Sequence, residues 1–300
     1  MAIWACLEPR AAWANCPWEQ SMAIVQRAAE LISGPWRDTH NAATMLGQSK
    51  SVYDADADSA CELMGFFRYN SYFVRQLLEE QPGASNGTFN RIDYRPLEGF
   101  VFAVTPFNFT AIGGNLPTSP AMVGNTVIWK PASTAIYSNY FVMKLLQEAG
   151  LPPGVINFVP GPGGEIGPVA LEHPDLAGVH FTGSTATFNS MWKSVVNNIE
   201  NYTNYPRIVG ETGGKDFIFS HSSADTDALF HAVIAGGFSY QGQKCSASSR
   251  VYIPEGIWEE VQGKLIHEMS DLQTGDVENF TNYMGAVIDK NAFDNISRYI

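Results

Sequence analysis

Three residues far apart in this chain could together perform acyl chemistry. Cys245 sits in the run Gln241-Gly242-Gln243-Lys244-Cys245-Ser246. A thiol has a reference pKa of about 8.5, so only a small share is thiolate at neutral pH unless a base assists. Glu211, followed by Thr212, Gly213, Gly214 and Lys215, is a carboxylate beside two glycines at a strand end. There it could approach a substrate or activate water. Asn108, in Thr105-Pro106-Phe107-Asn108-Phe109, could offer its amide N–H to a developing oxyanion. Each has a plainer reading: a buried small hydrophobe for Cys245, a solvated loop acid for Glu211, a turn residue for Asn108. Lys244 precedes the thiol, but adjacency does not say where its ammonium points.

A second group suits a phosphate-bearing ligand. Gly161, Gly163, Gly164 and Gly167 follow a strand and precede a helix, where backbone N–H groups can meet an anion. The third glycine comes one position late for the usual dinucleotide fingerprint, and no acid follows at the ribose spacing. A tight turn without a ligand remains open. Phe181-Thr182-Gly183-Ser184-Thr185 is another strand-to-helix turn, with Ser184 equally suited to a helix N-cap. Lys130, in Trp129-Lys130-Pro131, ends a strand with a cation that is either a ribose or phosphate contact or a surface lysine.

The elements that must position these residues are readable from hydrophobic periodicity. Helical spacing covers about 19–31 and 57–80, the latter with a bulky face of Leu63, Phe66, Phe67, Tyr69 and Phe73. Pro82-Gly83 breaks the chain, and a turn between extended segments follows. Strands are expected at 100–104, 126–129, 155–159, 179–181, 207–209 and 217–219. Ser133 or Thr134 should cap a helix with Ile136, Tyr140 and Met143 on one face and Gly150 as its stop. Further helices run through Trp192 and Val196, and from about Asp225 to Phe238. Strand–helix alternation of this kind implies an α/β fold with a parallel sheet covered on both faces. Helical spacing at Phe293, Ile296 and Ile300 suggests that the chain ends inside an element, as a fragment would.

Composition narrows the function classes. Of 300 residues, 45% are hydrophobic and 16% charged, a balance that supports a sizeable core. The formal net charge of −12 would repel phosphate backbones, so nucleic acid is excluded as a partner. No apolar run is long enough to span a bilayer. Cys6, Cys16, Cys61 and Cys245 form no C-x-x-C pair and no zinc-ligand spacing, so no metal site is expected and a reducing compartment fits. No secretory or transit signal is visible, although an organelle address could lie upstream.

Taken together and in this order, the Pro-Phe-Asn, Trp-Lys-Pro, Gly-rich, Phe-Thr-Gly-Ser, Glu-x-Gly-Gly-Lys and Gly-Gln-Lys-Cys segments resemble the aldehyde dehydrogenase superfamily. From about residue 19 onward the chain is most similar to its Δ1-pyrroline-5-carboxylate dehydrogenase branch. The telling stretches are 97–100, 105–115 and 240–247, with the helix of Thr187, Phe188, Trp192 and Lys193 and the aromatic insert before Pro206. The resemblance implies a Rossmann-like dinucleotide-binding domain over 1–212, with a bridging hairpin for oligomerisation at about 82–99. Residues 213–300 would begin an α/β catalytic domain that is truncated here. It implies a mechanism: Cys245 attacks an aldehyde, Asn108 and the Cys245 N–H hold the oxyanion, hydride passes to NAD, and Glu211 drives hydrolysis of the thioester. Thr105, Pro106 and Phe107 would line the cofactor channel, Lys130 would contact the ribose, and Gly183 and Ser184 the pyrophosphate. Glu62 would face the substrate ammonium, Phe109 would form an aromatic wall, and Ser246 would contact the substrate carboxylate.

The implied reaction is NAD-dependent oxidation of L-glutamate γ-semialdehyde to L-glutamate. A homodimer is implied for the full-length protein, in the mitochondrial matrix of a eukaryote or otherwise the cytoplasm. Ser133 stands where many relatives place an acid for the ribose 2′-hydroxyl, which leaves NADP open. The family's later Glu-x-Phe-Gly-Pro segment is absent, so a 300-residue polypeptide standing alone is expected to be inactive or poorly folded. Competing readings are a CoA-acylating relative, a glutamate-phosphate reductase and a non-catalytic dinucleotide-binding fragment. Glu211 speaks against the CoA-acylating enzyme, and the Cys245 and Glu211 motifs fit the reductase poorly.

Overall fold

The computed structural model describes residues 1–299. Its centre is a parallel five-stranded sheet built from β1 (Phe100–Val104), β2 (Thr126–Lys130), β3 (Ile156–Phe158), β4 (Leu176–Gly183) and β5 (Arg207–Thr212). The spatial order is β3-β2-β1-β4-β5, so the chain reverses direction of travel across the sheet between β1 and β4. The register aligns Val104 with both Lys130 and Phe181, and Thr182 with Glu211. All the motif turns therefore leave from one edge, the C-terminal ends of the strands, where a ligand crevice opens in such sheets.

β1 and β2 read as continuous apolar runs because both faces are covered. Val101, Ala103, Val127 and Trp129 pack against Val25, Ile32, Leu63, Phe67, Val142 and Leu145 on one side. Phe100, Phe102, Ile128, Val179 and Phe181 pack against Cys6, Leu171, Met191 and Val195 on the other. A separate two-stranded parallel sheet, β6 (Asp216–Phe219) with β7 (Ser248–Tyr252), lies beside a small core of Leu229, Phe230 and Val261.

Several expectations need correction. The 57–80 helix is divided: a π-helical turn at Asp56–Cys61 runs into an α-helix at Glu62–Glu79. Its bulky face is also divided, because Leu63 and Phe67 are buried while Tyr69 and Phe73 are exposed. Neither Ser133 nor Thr134 caps a helix. Both lie in a short 3-10 turn, Ala135 occupies the cap position of the Ile136–Ala149 helix, and no side chain caps it. That helix buries Val142, Leu145, Leu146 and Ala149, while Tyr140 is exposed; Gly150 closes it in a left-handed conformation, φ 101°. The 82–99 stretch turns at Asn86–Gly87, yet among the described residues no ladder pairs its two limbs. Near the C-terminus the helix spans Lys290–Ser297; Ile300 lies outside the described residues.

Candidate active site

The nucleophile loop is built by an irregular turn. The Thr226–Phe238 helix, capped by Asp225, gives way to Tyr240 and Gln241, both left-handed at φ 50° and 56°. For residues with a Cβ this conformation costs roughly 1–2 kcal/mol each. It persists because several side chains staple the loop to the 48–58 region. Tyr240 donates its hydroxyl to the Gln48 carbonyl at 2.8 Å, and Ser239 donates to Asp54 Oδ1 at 2.7 Å. Gln241 donates to the Ser49 carbonyl at 3.3 Å and, outside that region, to the Ala286 carbonyl at 2.6 Å.

This loop delivers Cys245 to Glu211. The thiol donates to Glu211 Oε1 across 3.7 Å, although the two residues are 34 positions apart. Glu211 is the penultimate residue of β5, exposed, and paired in register with Thr182. A strand thus holds it, although two glycines follow. Burial pushes the Cys245 thiol above its ordinary pKa, and the nearby Glu211 charge adds to the effect. The N–H groups of Ser246 and Cys245 pull in the opposite direction by hydrogen bonding to sulfur. The resting pair is therefore a neutral thiol with a carboxylate placed to take its proton.

Asn108 closes the constellation from β1. Its Nδ2 donates to the Gln243 carbonyl at 3.0 Å, which turns the amide toward the nucleophile loop and leaves its second hydrogen for another acceptor. The three residues singled out for chemistry thus meet at one place. Lys244 points elsewhere: its ammonium lies 2.8 Å from Asp54 and 2.7 Å from Asp58. Ser246, next to the thiol in the chain, is exposed.

Behind the thiol lies a buried ionic cluster. Lys50 is fully buried and pairs with Asp58 at 2.5 Å. Its ammonium also lies 4.4 Å from the Phe109 ring centre and 4.3 Å from that of Tyr240. Phe109 is therefore a wall with cations on its inner side. Glu62 adjoins the cluster: burial first, then the Asp58 charge, raise its carboxyl to about 7, while Lys50 and Lys244 oppose this. Its Oε2 is buried without a hydrogen-bond partner among the described residues. An ammonium would satisfy that oxygen and hold the group ionised.

Part of the second group, Lys130, Gly163, Gly164 and Gly167, lines a cleft of about 640 Å³ at the strand C-termini, whereas Gly161, Gly183 and Ser184 lie outside its lining. Lys130, Gly163, Gly164, Thr187 and Ser190 border it. Lys130 is only 8% exposed, and burial lowers its pKa with no acid opposing among the described residues. Gly164 and Gly167 have open space where a Cβ would stand, and no side chain caps the Gly163–Leu171 helix N-terminus. A buried unpaired cation beside bare backbone N–H groups fits an anionic, hydroxyl-rich ligand such as a dinucleotide. Ser184 does cap its helix, accepting from Thr187 N at 3.2 Å. Gly183 packs beneath the Phe181 ring, where a Cβ would meet it at 2.7 Å. Thr105 is buried and accepts from Trp129 Nε1 at 3.0 Å, and the Phe107 carbonyl accepts from Gln48. Pro106 is buried between them; Ser133 is exposed and does not line the cleft.

Sequence reasoning missed Asp54, Asp58 and Lys50. The spacing of Asp54, Asp58 and Glu62, each four residues on, was the available signal for a one-sided carboxylate row.

Comparison with known proteins identifies the family of the chain. The aldehyde dehydrogenase family model matches residues 1–300. The chain is 49% identical to Delta-1-pyrroline-5-carboxylate dehydrogenase of Agaricus bisporus, covering 100% of this chain and 55% of that relative. It is 45% identical to the mitochondrial enzyme of that name from Dictyostelium discoideum, over 100% of this chain and 54% of the relative. The crystal structure of Delta-pyrroline-5-carboxylate dehydrogenase from Mycobacterium tuberculosis bound with NAD superposes with a TM-score of 0.96 at 54% identity, covering 99% of this chain and 56% of that one. The chain thus spans about half the length of these relatives. With its doubly covered parallel sheet and its thiol, carboxylate and amide convergent at one edge, the chain belongs to the aldehyde dehydrogenase family.

Proposed function

We propose that this chain carries the nucleophile, base and oxyanion donor for oxidation of L-glutamate γ-semialdehyde to L-glutamate, a step of proline catabolism, with NAD as oxidant. The observation that carries the reading is the 3.7 Å approach of Cys245 Sγ to Glu211 Oε1, with Asn108 turned onto the same loop.

As sulfur attacks the aldehyde carbon, Glu211 takes the thiol proton. The oxygen that becomes negative is met by the free hydrogen of the Asn108 amide and by the Cys245 N–H, worth about 3–4 kcal/mol per donor in comparable sites. A nicotinamide dinucleotide in the Lys130 cleft would accept the hydride that leaves the tetrahedral carbon. The acyl group then remains on Cys245 as a thioester; Glu211 passes the thiol proton to solvent and, as a carboxylate again, activates the water that releases the product carboxylate. Lys130 would hold the ribose, Gly183 and Ser184 the pyrophosphate, and Thr105, Pro106 and Phe107 the channel between cleft and thiol. On the substrate side, Glu62 receives the ammonium, Phe109 flanks the alkyl chain and Ser246 reaches the α-carboxylate. Ser133 is exposed outside the cleft lining and brings no negative charge against a 2′-phosphate, so it sets no bar to NADP.

Residues 1–212 form the cofactor domain and 213–300 the beginning of the catalytic domain in this reading. The 82–99 arm bridges to a second subunit, and the location is the mitochondrial matrix in a eukaryotic cell or the cytoplasm in a bacterium. The relatives' names and the NAD-bound structure support the substrate and cofactor assignments. The test is NADH formation from glutamate semialdehyde with and without Cys245→Ala. Unchanged NADH formation in the variant removes the assignment.

A further inference from the structure

The residue before the nucleophile invites an electrostatic role: an ammonium adjacent in sequence could lower the thiol pKa. Its geometry argues for a different one. Lys244 Nζ lies between two buried carboxylates, 2.8 Å from Asp54 and 2.7 Å from Asp58, whose side chains are only 5% and 11% exposed. Asp54 is 190 residues away along the chain. It also accepts from Ser239, at the start of the same loop, and from Ser51. One carboxylate therefore grips both ends of the 239–244 turn, the turn that contains left-handed Tyr240 and Gln241. Asp58 is shared with Lys50, which stacks on Phe109 and Tyr240. Two lysines and two aspartates balance in charge, and burial, Glu211 and backbone N–H groups, rather than Lys244, lead the influences on the thiol.

We propose that Lys244 is a positioning residue, clamped by Asp54 and Asp58, that fixes Cys245 toward Glu211 and Asn108 rather than acidifying it. The proposal rests on Cys245 being the nucleophile. The clamp offsets the strain of the left-handed turn, and because Asp58 also holds Lys50 it ties the nucleophile loop to the Phe109 wall. The charged and titratable groups around this loop are Glu211 on β5, Asp54, Asp58 and Glu62 on the preceding helical segment, and Lys50, Tyr240 and Tyr283. Of these, Glu211 is the leading charge acting on the thiol, and it alone hydrogen-bonds to the sulfur among the described side chains.

The experiment follows Cys245 in the intact chain by iodoacetamide alkylation, read on its own peptide by mass spectrometry, across pH and with or without propanal. Propanal protects a correctly placed thiol by forming a thiohemiacetal, in which the S–C bond forms and the thiol proton moves to the carbonyl oxygen. Lys244→Met is expected to leave the pH midpoint of alkylation unchanged while weakening propanal protection by about tenfold, as expected for a displaced nucleophile. Asp54→Asn should weaken protection similarly, and the double variant should lose no more than the worse single one. Lys244→Arg should retain most of the protection. A midpoint that rises in Lys244→Met makes the lysine an acidifier and overturns the proposal, as does unchanged protection.

Ser239→Ala removes one bond to Asp54 and no charge, so it decides the matter if Lys244→Met does not fold: protection should weaken at constant midpoint, and unchanged protection overturns the clamp. If propanal fails to protect the wild-type chain, the nucleophile reading falls separately. Amide exchange over 239–246 then decides the clamp: faster exchange in the variants supports it, and unchanged exchange overturns it.

Discussion

A Cβ placed on Gly214 would stand 1.5 Å from the carbonyl oxygen of Cys245. The glycine two residues after β5 is therefore the floor on which the nucleophile loop rests. Gly213, by contrast, is needed for its left-handed backbone, φ 55°. Gly214→Ala must push the Cys245 backbone away, since backbone on both sides leaves no flexible atom to yield. Displacement of about 1 Å costs on the order of a hundredfold in rate. The expected outcome is a loss of that size in kcat with cofactor affinity retained, measured by steady-state kinetics and dinucleotide titration. Retained turnover would mean that the loop has another way to seat.

The pairing of Cys245 with Glu211 carries a pH signature. Burial and the Glu211 charge both raise the thiol pKa, so thiolate accumulates only above the ordinary thiol range. Glu211→Gln removes the negative charge while keeping the shape. The alkylation midpoint of Cys245 should therefore shift to lower pH, even though turnover falls because thioester hydrolysis loses its base. A midpoint that stays or rises would show that the carboxylate does not face the sulfur.

Much of this site was legible because its chemistry lies on short motifs at strand ends. β1 and its Pro-Phe-Asn turn, and the cap by Ser184, follow from local rules. Three things were hidden for physical reasons. The Thr110–Met122 helix contains Pro117 and Pro120 and two glycines, so propensity argues against it. Tertiary packing requires those glycines: a Cβ at Gly113 would strike Asn139, and one at Gly114 would strike Leu63. Lys244's partners lie 190 residues away, and no local pattern announces such a contact. The stripe inferred for the Ile136–Ala149 helix failed because aromatic residues such as Tyr140 suit an exposed face as well as a core.

Glu62 bears on selectivity. Its unpartnered Oε2 and its carboxyl pKa near 7 describe a carboxylate whose neighbouring lysines are paired with Asp54 and Asp58 instead. Glu62→Gln should raise KM for glutamate semialdehyde by about tenfold or more, since an ion pair to the ammonium is lost, and should change KM for propanal little. The effect should shrink below about pH 7, where the wild-type group is itself protonated. Equal losses for both aldehydes across pH would assign Glu62 a structural role.

His40 sets an acid limit on the fold. It is fully buried, neither ring nitrogen has a partner, and burial lowers its pKa to about 4. Above the unfolded value of 6.5 both states are neutral and pH has no effect through this residue. As pH falls toward 4 the unfolded chain takes up the proton and the folded one does not, so stability is lost over that window. The full loss is about 3 kcal/mol. Urea midpoints at pH 7 and pH 4.5 should separate less in His40→Leu than in the wild type. An identical drop in both proteins would place the acid sensitivity elsewhere.

His180 on β4 repairs a defect that proline makes in the neighbouring helix. In the Thr110–Met122 helix the carbonyl of Leu116 would ordinarily accept from the N–H four residues on, but that residue is Pro120. His180 Nδ1 lies 3.0 Å from this carbonyl, so the ring donates there and the Nδ1–H tautomer is fixed. Burial lowers the His180 pKa while the bond to Leu116 opposes this. His180→Ala should then cost about 1–3 kcal/mol, the price of a buried carbonyl left bare. Pro120→Ala restores an N–H at the right position, so the same His180→Ala change made in that background should cost measurably less. The double-mutant cycle, read by denaturant unfolding, isolates the term. Additive losses would mean that His180 supports the sheet by packing alone.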